Sequence, residues 1–189
     1  MTNATLVADQ AQKWVLAGTR VTWTNHQPAS SLVQWSRARG LQATPPAMSA
    51  GLKMVCYELP IWAAYYAGVL NVESLYDLVR EFDYTGRGSA NAIMGAITSR
   101  FSPRRTLRNP AIAKFSRGDI VFFNNVGHVA LASGRNAEPN EVYSVWGLDP
   151  SGTQPNTAVE QTTVGTLLAQ IAMGAPRIDQ TVTYSSPRW

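Results

Sequence analysis

The hydrophobic pattern of this chain changes period once, near Phe115, and that change limits the folds open to it. Ahead of it, apolar residues recur at helical spacing. Leu6, Val7, Trp14, Val15 and Leu16 share one face, and Leu32, Val33 and Trp35 follow the Pro28-Ala29-Ser30-Ser31 start signal in a stretch that stops at Gly40. Thr44-Pro45-Pro46 then breaks the chain. Residues 56–66 are apolar and aromatic and end at Gly68, a good helix C-cap. Residues 71–82 are amphipathic, with Ser74 and Asp77 at capping-box spacing and Asn71 an equally good cap. Ser89 opens a further helical stretch through Ile97. Beyond Phe115 the pattern predicts strands over 119–123, 128–132 and 141–146, a helix over 163–173 closed by Gly174, and a last strand over 178–184. Helices first and a meander of strands afterwards is an α+β order, with an antiparallel sheet.

A chain of 189 residues has room for one sizeable core, so a single domain over 1–189 is expected. A composition of 45% hydrophobic and 15% charged residues excludes a disordered chain. The net charge is +4, and four arginines, Arg100, Arg104, Arg105 and Arg108, lie close together. Aromatic residues are not interleaved with them, as they are in a single-strand binder. The cluster therefore reads first as a solvated basic loop, with a polyanion or acidic membrane face as the other reading, and no nucleic acid is expected. Residues 1–12 carry neither a basic n-region nor an apolar h-region, and no apolar run approaches a membrane span. The expectation is a soluble protein made for the cytosol, with export by a route that needs no cleavable signal left open.

The chain has one cysteine and two histidines. That excludes an internal disulfide and a thiolate metal cluster, and no zinc or other cofactor is expected. No Gly-rich phosphate loop follows a strand. Pro60 fixes the start of its helix, because proline lacks an N–H and fits only the first turn. Cys56, four residues earlier, is thereby placed at or just before the helix N-terminus. There the free N–H groups and the helix dipole favour the thiolate and can face an oxyanion. Glu58, in the same turn, works against the thiolate. A free cysteine is also often a small core hydrophobe, and that alternative stands beside the catalytic one. His128 opens an apolar strand just after Gly127, at a sheet end where a helix N-terminus can meet it. His26, in Trp23-Thr24-Asn25-His26, reads as a structural or exposed residue of a polar turn.

Arg117-Gly118-Asp119-Ile120-Val121-Phe122-Phe123, followed by Gly127-His128-Val129-Ala130-Leu131, resembles the signature of the NlpC/P60 family. In that family a Gly-Asp turn leads into an apolar strand and the next strand starts with the catalytic histidine. The upstream Cys56-Tyr57-Glu58-Leu59-Pro60-Ile61-Trp62 resembles its nucleophile helix, apart from the Tyr57-Glu58 that follows the cysteine. The resemblance implies a papain-like α+β domain, with Cys56 as nucleophile, His128 as base and Ser144 at the third catalytic position. Asp149, just past the Ser144 strand, is the chemically stronger acceptor. The implied reaction is amide hydrolysis, with a peptidoglycan stem peptide as substrate. A bare domain of this size resembles a delivered toxin or effector, which would have a cognate inhibitor or immunity protein. Protein deamidation, proteolysis and acyl transfer would use the same dyad. A non-enzymatic module, with Cys56 in the core and the basic stretch binding a partner, is the alternative of another class.

Overall fold

The computed structural model describes residues 1–24, 29–38, 44–84, 105–106, 114–123, 127–135, 140–146, 158–174, 181–187 and 189. His26, Asp149, the helical stretch expected from Ser89 to Ile97, and Arg100, Arg104 and Arg108 lie outside them.

Among the described residues, four helices precede the large sheet. Helix α1, Asn3–Leu16, starts at Thr2, whose Oγ1 accepts the Thr5 N–H at 3.2 Å. Its buried stripe is Val7, Ala8, Ala11 and Trp14. Leu16 was expected on that face but is 78% exposed, because two residues beyond Trp14 is about 200° around the helix. Helix α2, Ser31–Ala38, is capped by the Ser30 hydroxyl, which accepts the Val33 N–H at 3.2 Å. Helix α3, Glu58–Tyr66, ends in a Schellman turn. Gly68 adopts φ +73°, its N–H bonds the Tyr65 carbonyl, and the Val69 N–H bonds that of Ala64. Helix α4, Val72–Tyr84, is capped by Asn71, whose Oδ1 accepts the Ser74 N–H at 2.8 Å, so Asn71 rather than the Ser74–Asp77 box does the capping.

Between these helices a short parallel pair joins β1, Thr22–Trp23, to β2, Lys53–Met54. The main sheet holds β3, Arg105–Thr106; β4, Ile120–Phe123; β5, His128–Ala132; β6, Glu141–Ser144; β7, Glu160–Thr163; and β8, Val182–Ser185. Their order is β3-β8-β4-β5-β6-β7, and every neighbouring pair is antiparallel. The α+β class and its antiparallel sheet are as the sequence predicts. Three details differ. Strand β6 stops at Ser144, short of Trp146. The polar edge strand β7 has no apolar alternation to announce it. Arg105, expected in a basic loop, belongs to β3, paired with Tyr184. Helix α5, Val164–Gly174, follows β7 directly, and the Thr163 hydroxyl accepts the Thr166 N–H at its start. Among the described residues no helix is long and apolar enough to cross a membrane.

The central strands β4, β5 and β6 are buried on both faces. Phe122, Val129, Leu131, Tyr143 and Val145 join the core made with α1 and α3. Val121, Phe123, Ala130, Ala132 and Val142 pack instead with Val164, Leu167 and Ile171 of α5. The turn ahead of β4 fastens α1 to this sheet. Arg117 donates to Asp9 Oδ1 at 2.8 and 2.6 Å, to Gln12 Oε1 at 2.6 Å and to the Ser133 carbonyl. Asp119, 3% exposed, accepts the Ser116 N–H at 2.9 Å and the Ser186 hydroxyl at 2.7 Å. The Gly-Asp turn singled out in the sequence is therefore a structural joint between α1, β4 and the segment after β8.

Candidate active site

Helix α3 is apolar all round, which buries it: Leu59, Ile61, Trp62, Ala63 and Ala64 have no exposed surface. Pro60 stands at its third position, and Cys56 immediately precedes its N-cap, Tyr57. The placement deduced from Pro60 thus agrees with the fold. The Cys56 sulfur lies beside the backbone N–H groups of Val129, of Tyr57 and of Cys56 itself. These donors favour a thiolate, but burial outweighs them and, with the Glu58 carboxyl adding to it, pushes the thiol up to about 11. An N-terminal position alone was expected to favour the thiolate. It does not here, because the sulfur is only 8% exposed and desolvation is the larger effect.

His128 begins β5 and has no exposed surface. Its Nε2 lies 2.8 Å from Ser144 Oγ, so the residue expected at the third position does meet the ring. Trp146 sits edge-on to the imidazole, with centroids 4.4 Å apart at 84°, and Phe123 lies 5.7 Å away. The β5–β6 register pairs Leu131 with Tyr143 and Ala132 with Val142. Extending it puts Ser144 and Trp146 on the same face as His128. Nδ1 is buried and has no hydrogen-bond partner. Burial also lowers the imidazole to about 3. Thiol and imidazole are therefore both neutral at pH 7 in this conformation, whereas the helix N-terminus was expected to favour the thiolate.

No thiol–imidazole hydrogen bond is formed, since Nδ1 is unpartnered and Nε2 is taken by Ser144. Strand alternation explains this. Val129 faces the α1–α3 core that contains Cys56, whereas His128, one residue earlier, faces the other side with Phe123 and Trp146. The sulfur meets β5 one residue away from the histidine and across the strand from its ring.

Glu58 acts against the thiolate as expected. What the sequence reading did not anticipate is that Glu58 is itself buried, 2% exposed, and that burial raises its carboxyl to about 8. The signal was present in the sequence: a helix with no polar face, Glu58-Leu59-Pro60-Ile61-Trp62-Ala63-Ala64, cannot carry a solvated acid. Elsewhere, Arg135, Glu141, Gln161, Thr162 and Thr163 line an open cleft of about 420 Å³. It lies at the far end of β6, three residues or about 10 Å along the strand from Ser144.

No family model, no curated protein and no solved structure matches this chain.

Proposed function

We propose that the chain is a cysteine-dependent amide hydrolase of papain-like, NlpC/P60-type architecture, with Cys56 as nucleophile, His128 as base and Ser144 orienting the ring. One observation carries this: the buried Nδ1 of His128 has no partner, on a ring whose other nitrogen is held by Ser144. Buried polar groups are usually paired, so the unpartnered nitrogen is available to take a proton. In the tautomer a base requires, Nε2–H donates to Ser144 Oγ and Nδ1 presents its lone pair. Catalysis by this pair requires that nitrogen to reach the sulfur across the start of β5, where His128 is paired with Phe123 of β4 and follows the exposed Gly127.

The chemistry then follows from the neutral pair. His128 takes the thiol proton as the sulfur attacks the amide carbonyl, so transfer accompanies attack rather than precedes it. The N–H groups at the head of α3 face the oxyanion. His128 returns the proton to the leaving amine, and water hydrolyses the thioester. The substrate class suggested by the resemblance is a peptidoglycan stem peptide. A protein glutamine or peptide bond would use the same groups, as would acyl transfer. A delivered effector of this kind would have a cognate immunity protein as partner.

A second function, a non-enzymatic module, is favoured by the placement of thiol and ring on opposite faces of β5. Digestion of purified muropeptides, read by mass spectrometry, separates the two. The wild type is expected to release cleaved stem peptides. His128→Gln is expected to slow release by about 10²-fold or more, and Ser144→Ala by roughly tenfold, as an orienter costs less than a base. Equal rates in wild type and His128→Gln would leave the binding module as the better account.

A further inference from the structure

Glu58 has no part in the hydrolytic scheme, yet it is built into the cysteine turn. Its Oε2 accepts the Val55 N–H at 3.3 Å, and the Ser30 hydroxyl, the cap of α2, hydrogen-bonds the same carboxyl. One buried side chain thus ties the turn that holds Cys56 to the head of α2. The titratable groups facing it are Cys56 and Tyr57, both on its own segment. Among the described residues, α2 contributes only the uncharged Ser30, and α1, α4 and β5 bring no charged group that acts on it. Both hydrogen bonds favour the carboxylate, but burial outweighs them, and with no cation beside it among the described residues the neutral acid is the less costly form.

We propose that Glu58 is a positioning residue held as the neutral carboxylic acid, and that its ionisation is an alkaline switch on the Cys56 turn. The significance for catalysis rests on the hydrolase function above, but the switch itself does not need turnover to be seen. Glu58 titrates near 8 in the folded chain, against about 4.3 unfolded. Between those values the folded chain holds a proton that the unfolded chain has lost, so stability falls as pH rises and the fall levels off above about 8. His128 acts with the opposite sign between about 3 and its unfolded value near 6.5, because there the unfolded chain binds the extra proton. The two offset each other between about 4.3 and 6.5, which leaves the fall between 6.5 and 8 to Glu58 among the described residues. Once ionised, the carboxylate also opposes loss of the Cys56 proton.

The test uses urea unfolding and iodoacetamide alkylation of the full chain against pH. In wild type, the unfolding constant is expected to rise by up to about tenfold per pH unit between 6.5 and 8. Glu58→Gln keeps the shape and the acceptor oxygen but cannot ionise. It should flatten that rise and alkylate at Cys56 roughly tenfold faster at pH 9, the effect of removing one nearby charge. Ser30→Ala removes a donor to the carboxylate and should extend the rise to higher pH. A flat wild-type profile, an equally steep Glu58→Gln profile, or an unchanged alkylation midpoint would overturn the proposal. A chain that cleaves no amide but shows these shifts would sink the hydrolase function and leave the switch standing.

Discussion

Cys56→Ala is expected to lower amide hydrolysis by at least about 10⁴-fold while leaving the fold in place, the scale seen when a nucleophile is removed from a catalytic unit. The two halves of the expectation have separate causes. The activity falls because the variant retains the donors at the head of α3 and the Val129 N–H but has no atom to form the thioester. The fold persists because alanine keeps the backbone and Cβ of a position that is already 8% exposed, with the missing sulfur costing about 1 kcal/mol. Muropeptide digestion gives the first quantity and urea unfolding the second. An Ala variant that cleaves as fast as wild type would remove Cys56 from the mechanism. One that fails to fold would mean that the thiol is chiefly a core group.

Gly118→Ala is expected to destabilise the chain by about 3 kcal/mol or more, the largest effect on stability of any substitution considered. Gly118 adopts φ +86°, a conformation that costs an L-residue roughly 1–3 kcal/mol. A Cβ there would also run into the backbone carbonyl of Ala4 in α1. The collision is with main chain on both sides, so relief would require α1 to move off the sheet and strain the Arg117 links to Asp9 and Gln12. Gly68 is the internal comparison. It has a similar φ of +73°, but an added Cβ meets nothing within 4 Å, so Gly68→Ala should cost only about 1 kcal/mol. Urea unfolding of both variants checks this, and equal losses would mean that backbone strain alone, not the close approach to α1, accounts for the glycine.

The fold was legible where the hydrophobic period was strong. The strand 128–132 was placed to the residue, because a short apolar run bounded by Gly127 and Ser133-Gly134 leaves little choice of ends. The helix over residues 56–66 was nearly so, since Pro60 restricts where a helix can begin. Strand β7 was illegible because Glu160-Gln161-Thr162-Thr163 earns its place from its partner β6 and from the helix that follows, not from its own pattern. At the candidate site, Ser144 was expected near His128 from the resemblance, and strand pairing with period-two alternation brings it there. The side of the strand on which Cys56 arrives did not. That depends on which core α3 joins, a tertiary choice that neither the helix nor the strand encodes alone. Protonation was misjudged for the same reason. A helix N-terminus is visible in sequence, but the burial that outweighs it at Cys56, Glu58 and His128 is set by everything packed around them.

The most direct test of cooperation between Cys56 and His128 is acylation by a small activated ester such as p-nitrophenyl acetate, followed by intact-mass and peptide mass spectrometry. It needs no knowledge of the natural substrate. If His128 withdraws the thiol proton during attack, wild type should acylate at Cys56 with a burst of nitrophenol at neutral pH. His128→Gln should acylate about 10²-fold more slowly, and only as pH approaches the range where the thiol ionises unaided. Equal acylation rates in the two proteins, or acetyl groups found elsewhere than on Cys56, would contradict the assignment.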